Sequence, residues 1–439
     1  MANYAVVVPP LLGHLNPMAA LARELVSRGN RVTFLHMPDA AALVAERGFD
    51  FRPVGSGSHP PGTLAQVLRR MARIRFPFGL GGVIRDVAAA TDMLCRELPG
   101  ALREIGADIL VCDQTEAAGG LIARHLGMPY VSVANALPLN REPGVPPPFT
   151  SWRYDPSRWG RERNLGGYRV SDLLMRRLRA VIEARAAEWK LGPLRSIEDC
   201  ASPFAQISQL VAGLDFPRSE LPESFHYVGP LRGGEPVPAD FTMPSGDGRP
   251  LAYASLGTLQ GSRVRLFRRI AEAGSRAGLQ LVLAHGGGLT PDQVRGLPDR
   301  PAAFAFVPQP EVLREARLAI LNGGLNTVLD ALAAGVPLVV VPIAFEQGAI
   351  AARVERAGAG RAVSRRFLSA DRLARVARSV LEEPSYAAAA RRLRAEISAA
   401  GGVRLAADIV EAVAARGGPV TREEASRLQG RAVRPGCAA

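Results

Sequence analysis

The chain has 439 residues, more than one hydrophobic core organises, so two domains of about 200 residues each are expected. Apolar residues at 47% and charged residues at 22% are the balance of a soluble globular enzyme, and no segment approaches the roughly 18 uncharged apolar residues that a membrane span needs. The net charge of +13 is almost wholly arginine, with Lys190 the single lysine; a genomic arginine bias and an attraction to diphosphates or anionic lipid both account for it.

Cys95, Cys112, Cys200 and Cys437 are scattered without a C-x-x-C pair, which indicates neither a disulfide framework nor a zinc site and suits a reducing cytoplasm. The apolar run at 5–8 is too short for a signal peptide and has no basic leader before it.

Taken in order, residues 5–8 read as a buried strand, 9–16 as a loop, and 17–27 as a helix begun by Pro17 and stopped by Gly29. Strands follow at 31–35, 109–112 and 130–134, with a helix at 117–125, an alternation that predicts a parallel sheet covered on both faces. Two side chains stand at strand ends, where ligands of open α/β sheets collect. His14, in Gly13-His14-Leu15-Asn16-Pro17, is placed to serve as a general base, since imidazole titrates near working pH. Asp113 is placed to orient it and to stabilise its imidazolium. His36, His59, His125, His226 and His285 have no such support and read as structural.

Residues 63–80 carry Leu64, Val67, Leu68, Met71, Ile74, Phe76 and Phe78 beside Arg69, Arg70, Arg73 and Arg75. This basic amphipathic segment suits an anionic interface, or equally a wall of a pocket. A Pro- and Gly-rich stretch at 229–250 marks a hinge, with the linker at 234–248. The α/β rhythm then restarts with strands at 252–255, 280–284, 303–307, 319–321 and 338–341 and helices at 263–277 and from 325. A helix beyond 403 ends at Gly417-Gly418, and 419–439 is expected to be a loosely ordered tail. The domains are thus 1–233 and 249–402, with a C-terminal helix at 403–418.

The most specific stretch runs from FVPQPEVL at 306–313 through NGGLNTVLDALAAGVP at 322–337 to PIAFEQ at 342–347. Phe306 and Gln309 suit a flat base. Gly323 and Gly324 open a helix whose free N–H groups can hold a diphosphate, and Asn326 and Thr327 add side-chain donors or cap the helix. Asp330 and the pair Glu346-Gln347 suit sugar hydroxyls. Ser255, Gly257 and Thr258, at a strand-to-loop transition, offer a second phosphate contact.

This stretch resembles the nucleotide-sugar signature of the UDP-glycosyltransferases. The resemblance implies a GT-B fold of two facing Rossmann-like α/β domains and a metal-independent inverting transfer. It further implies that Phe306 faces uracil with Val307 backbone and Gln309 beside it, that Asp330 accepts ribose hydroxyls, and that Glu346-Gln347 bind the sugar. Where the family has Thr-His, this chain has Leu321-Asn322, so Asn322 is expected to give the leaving diphosphate a neutral donor in place of imidazole, with weaker stabilisation.

Further stretches, TDMLCRELP at 91–99, NALPLNREP at 135–143, QISQL at 206–210, LDFPR at 214–218, VGPLR at 228–232 and ASLGTLQG at 254–261, are similar to zeaxanthin glucosyltransferases. This likeness implies UDP-glucose as co-substrate without another cofactor, the ring hydroxyls of zeaxanthin as acceptor, no nucleic-acid partner, and peripheral contact with the inner face of the membrane. It also implies that the last helix crosses back onto the first domain. The alternatives are a transferase for another lipophilic alcohol such as a polyketide or sterol, a nucleotide-sugar epimerase, and a non-catalytic sugar-nucleotide binder.

Overall fold

The protein is described by a computed structural model covering residues 1–72, 74, 79–233 and 241–432. Seven strands, β1 (Asn3–Val7), β2 (Arg31–His36), β3 (Asp50–Pro53), β4 (Ile109–Asp113), β5 (Tyr130–Ala134), β6 (Ala205–Ser208) and β7 (Phe225–Tyr227), form one sheet in the order β3-β2-β1-β4-β5-β6-β7. Six more, β8 (Leu251–Ser255), β9 (Gln280–Ala284), β10 (Ala302–Phe304), β11 (Leu318–Leu321), β12 (Leu338–Val340) and β13 (Gly360–Ala362), form a second in the order β10-β9-β8-β11-β12-β13. Every pairing is parallel. Strands β4, β5 and β11 are buried along their whole length, because helices cover both faces, and this is why they read as unbroken apolar runs.

Strand order reverses between β1 and β4 in the first sheet and between β8 and β11 in the second. At such a reversal the connections leave in opposite directions and open a crevice at the strands' C-terminal ends. His14 and Asp113 sit at the first crevice; Ser255 and Asn322 sit at the second.

Three sequence expectations are corrected. The first helix is Leu12–Ser27, so His14 lies in its first turn and not in a loop, and Pro17 lies inside it. Pro17 has no N–H to give the carbonyl four residues back, that of Gly13, and the Gly13 oxygen accepts a side-chain bond from the second domain instead. Strand β10 ends at Phe304, before Phe306 and Val307. The C-terminal segment is not loose through 432: Arg422–Ala432 is a helix. Thr421 and Glu424 cap it reciprocally, with the Glu424 N–H on Thr421 Oγ1 and the Thr421 N–H on Glu424 Oε2. Val420 and Ala425 are buried in the core of the first domain.

Helix Gly402–Arg416 also packs on the first domain, placing Leu405, Ala406, Ile409, Val410 and Val413 in the core with β1 and β4 residues. Arg28 ties it down through Asp408 at 2.6 Å and Glu411 at 2.8 Å. Of the expected linker, residues 234–240 lie outside the described residues, while Phe241 stacks edge-on against Phe304 of β10. Among the described residues no helix is long and apolar enough to cross a membrane. Cys95, Cys112 and Cys200 are buried free thiols, each pushed up to about 12 by burial; Cys437 lies outside the described residues.

Candidate active site in the interdomain cleft

His14 Nδ1 is 2.7 Å from Asp113 Oδ2, with 18% of the imidazole exposed and the carboxylate fully buried. An ionised carboxylate only accepts, so Nδ1 carries the hydrogen and the lone pair of neutral His14 is on Nε2. Asp113 also accepts from Asn135 Nδ2 at 2.7 Å and from the Thr115 N–H at 2.8 Å and its hydroxyl. Burial pulls the His14 imidazolium down, but the Asp113 charge and hydrogen bond, with Glu346 and Glu116 behind them, outweigh it, so its pKa lies above the ordinary value. Burial likewise raises the Asp113 carboxyl, and His14, Thr115 and Asn135 together hold it below the usual range.

The second domain touches the residue next to His14. Helix Leu325–Ala333 begins at Gly324, and Asn326 in its first turn donates from Nδ2 to the Gly13 carbonyl at 2.5 Å. The residue preceding the imidazole therefore touches the helix end assigned to diphosphate. Gly323 holds φ +88°, and a Cβ there would come within 3.0 Å of the Gln347 carbonyl, so only glycine fits. Thr327 makes no side-chain bond among the described residues, and its hydroxyl stands in the first helical turn.

Glu346 caps helix Gln347–Arg356 and makes no side-chain hydrogen bond among the described residues. The residue before it, Phe345, is held at φ +55°, a costly conformation for an aromatic residue and a mark of a loop shaped for something other than stability. Gln347 Oε1 accepts from the N–H groups of Ile343 and Ala344 at 2.8 and 2.9 Å. Its carbonyl end thus fixes this loop, and its amide N–H₂ makes no hydrogen bond among the described residues.

Several expected donor contacts are placed differently. Asn322 is buried; its Nδ2 donates to the Leu256 carbonyl at 2.6 Å and its Oδ1 accepts from the Gly324 N–H at 3.1 Å. The carboxamide spans the crevice between β8 and β11 and fastens the turn carrying Gly257 (φ +68°) to the start of helix Leu325–Ala333, so it works first as a clamp. Ser255 Oγ is turned to the Gly257 N–H at 3.2 Å, whereas Thr258 is exposed. Phe306 is 53% exposed, and Val307 follows it. Gln309 accepts from the Tyr253 hydroxyl at 2.9 Å and donates to Asp330, so its side chain orients Asp330 within the domain.

Arg232 joins these groups without any functional signal in the sequence. Its Nε donates to Asp330 Oδ1 at 2.6 Å, its Nη1 to Gln209 Oε1 at 2.9 Å and its Nη2 to the Asn326 carbonyl at 3.0 Å. One guanidinium thus sets the carboxylate expected at ribose and the first turn expected at diphosphate. Its only sequence trace is its place in VGPLR.

Comparisons agree with this architecture. Residues 281–413 match the family described as erythromycin biosynthesis protein CIII-like, C-terminal domain. The chain is 42% identical over 423 residues to a zeaxanthin glucosyltransferase of Pantoea ananas, covering 96% of this chain and 98% of that one. It is 40% identical over 418 residues to that of Pseudescherichia vulneris, covering 94% and 98%. Among solved structures, the glycotransferase of kitacinnamycin aligns with a TM-score of 0.73 at 25% identity over 94% of this chain and 98% of that one. The calicheamicin glycosyltransferase shares the fold at a TM-score of 0.73 and 23% identity, over 95% and 100%. The chain belongs to the UDP-glycosyltransferase family, as a zeaxanthin glucosyltransferase-like member with the GT-B fold.

Proposed function

We propose that the protein transfers glucose from UDP-glucose to the ring hydroxyls of zeaxanthin with inversion, without a metal ion, in the cytoplasm at the membrane face that holds the acceptor. Neutral His14 accepts the acceptor's hydroxyl proton at Nε2 as the oxygen attacks the anomeric carbon. The bond from that carbon to the UDP oxygen breaks in the same displacement, and UDP departs toward the N–H groups at the start of helix Leu325–Ala333. Asp113 balances the imidazolium that results. Glu346 and Gln347 hold sugar hydroxyls, Asp330 the ribose, and Phe306 the uracil.

The observation that most supports this reading is the bond from Asn326 to the Gly13 carbonyl. It joins the residue before His14 to the helix we assign to diphosphate, which supports a shared cleft. The acceptor rests on the similarity to the two zeaxanthin glucosyltransferases.

The test is mass spectrometry of zeaxanthin incubated with the protein and UDP-glucose in chelator, beside other donors and lipophilic alcohols and a sample with UDP-glucose alone. Zeaxanthin heavier by one or two hexoses is expected, with His14→Ala losing about 10²- to 10⁴-fold in turnover while UDP affinity holds within a few fold. A product only from a different alcohol overturns the acceptor, a need for added metal overturns metal independence, and a new epimer from UDP-glucose alone overturns the transfer.

A further inference from the structure

Helix Arg158–Leu174 presents two unlike faces. Inward, it is joined to the proline-rich segment that follows β5: Asn164 Nδ2 donates to the Pro143 carbonyl at 3.0 Å and the Tyr168 hydroxyl to the Val145 carbonyl at 2.9 Å. A Cβ on Gly167 would come within 2.8 Å of the Trp152 ring and 2.9 Å of Pro147. Outward, Trp159 (68% exposed), Val170 (52%) and Leu173 (62%) stand within a narrow stripe at helical spacing, and Leu165 is exposed further round the helix. Four of the eight exposed large apolar side chains among the described residues are on this one helix, a concentration that solvent alone does not favour.

Exposed arginines flank the stripe: Arg158, Arg161 and Arg169 on the helix, with Arg176 and Arg177 just beyond its end. None of them forms an ion pair among the described residues. The exposed acid among them is Glu162; Asp172 is held by Arg141 at 2.7 Å. By contrast, the described part of the segment expected at an anionic interface packs against the fold. In helix Thr63–Ala72, Leu64 is buried, and Arg70 is held by Asp86 through two bonds of 2.7 and 2.8 Å; Ile74 beyond it is buried too. Arg73, Arg75, Phe76 and Phe78 lie outside the described residues.

We propose that the outward face of helix Arg158–Leu174, with Arg176 and Arg177, is the surface by which the protein rests on an anionic lipid bilayer. Its purpose, taking a lipid-dissolved acceptor, rests on the function proposed above. An indole and aliphatic side chains enter the headgroup boundary while unpaired guanidinium groups meet lipid phosphates. A second copy of the chain on this face would oppose arginine to arginine, so charge favours lipid. The surface is also close to the chemistry along the chain: the segment beneath the helix continues to Ser151, whose Oγ would lie 2.0 Å from a Cβ on Gly348, next to Glu346-Gln347.

Co-sedimentation of the full chain with vesicles tests this without donor or acceptor. Binding to phosphatidylglycerol-containing vesicles, and not to phosphatidylcholine alone, is expected. Trp159→Ser with Leu173→Ser, and separately Arg158→Glu with Arg161→Glu and Arg169→Glu, are expected to lower the partition about tenfold or more, with thermal midpoint and UDP affinity unchanged. Arg69→Glu, on the inward-packed segment, leaves binding as it is. Equal sedimentation of the variants overturns the proposal, as does a wild-type dimer in sedimentation equilibrium that Trp159→Ser dissociates. If the vesicle dependence holds while zeaxanthin is not glucosylated, the acceptor reading falls and the docking surface stands.

Discussion

His14 and Asp113 are 99 residues apart in the chain, and strand β1 lying beside β4 brings them into one hydrogen bond. Since the folded His14 pKa is raised, its neutral, base-competent form fills only as pH rises past that raised value. The acid limb of kcat/KM is therefore expected above the ordinary imidazole value of about 6.5. Asp113→Asn removes the charge that raises it and leaves burial to pull down, so the limb moves to lower pH while turnover drops by about 10²-fold or more. A pH–rate profile of both proteins checks this, and an unmoved limb means another group is titrating. Arg232 gives a second expectation. With bonds to a charged group worth about 1.5–3 kcal/mol each, Arg232→Ala is expected to raise the donor KM about tenfold or more. Melts should show a lower thermal midpoint, since those bonds lie within the fold, while steady-state kinetics show kcat nearly unchanged and KM partly rescued by Lys; a fall in kcat with KM unmoved would indicate a merely structural role. The residue types expected at base, sugar and diphosphate are legible in the sequence. That Gln309 and Asn322 would spend their amides on Asp330 and Leu256 is not, because a motif records which groups are present and not which partners reach them first.

The elements repeat this division. Buried parallel strands announce themselves as apolar runs, and most were legible within a residue or two. The first helix was misplaced because Pro17 looks like a helix start, whereas its missing N–H is tolerated inside the helix by a carbonyl that another domain satisfies. The final helix is not evident although Thr421 and Glu424 spell a capping box, since Ala425 within it and Val420 just ahead of it are too few buried apolar residues to show periodicity. The turn after β8 and the helix after β11 function as one unit through Asn322. Asn322→Leu keeps the size and strips both bonds, leaving the Leu256 carbonyl and the Gly324 N–H unpartnered. A loss of about 1–3 kcal/mol is expected, read by denaturant melts, together with weaker UDP binding by calorimetry. Full retention of both would mean the clamp is dispensable.

Across the whole molecule, the domains are also joined away from the cleft. Arg353, on the helix that begins at Gln347, reaches Asp215 of the first domain at 2.8 Å with both side chains buried, over the Phe216 ring at 4.2 Å. The Tyr227 hydroxyl donates to the other Asp215 oxygen at 2.8 Å. Burial raises the Asp215 carboxyl, and Arg353, Arg218 and Tyr227 outweigh it, holding it low. A depressed carboxyl stabilises above its unfolded value of about 4 and loses that stability as pH falls through the folded value, so this joint is expected to fail in acid. Arg353→Leu strands a buried charge and is expected to cost about 3–5 kcal/mol, whereas the double change with Asp215→Leu recovers much of it. Thermal melts of the single and double variants decide; equal losses would mean the charge is not what the joint depends on.

By itself, the sequence determined the two α/β halves, the family, and the chemical types gathered in the cleft, because periodicity and residue chemistry are local and survive in one dimension. Only the tertiary structure decided that Gly13 meets Asn326, that Arg232 commands Asp330, and that helix Arg158–Leu174 turns its apolar stripe outward while helix Thr63–Ala72 turns its own in. Those outcomes depend on which distant surfaces compete for the same burial and the same hydrogen bonds, and that competition exists only once the chain has folded.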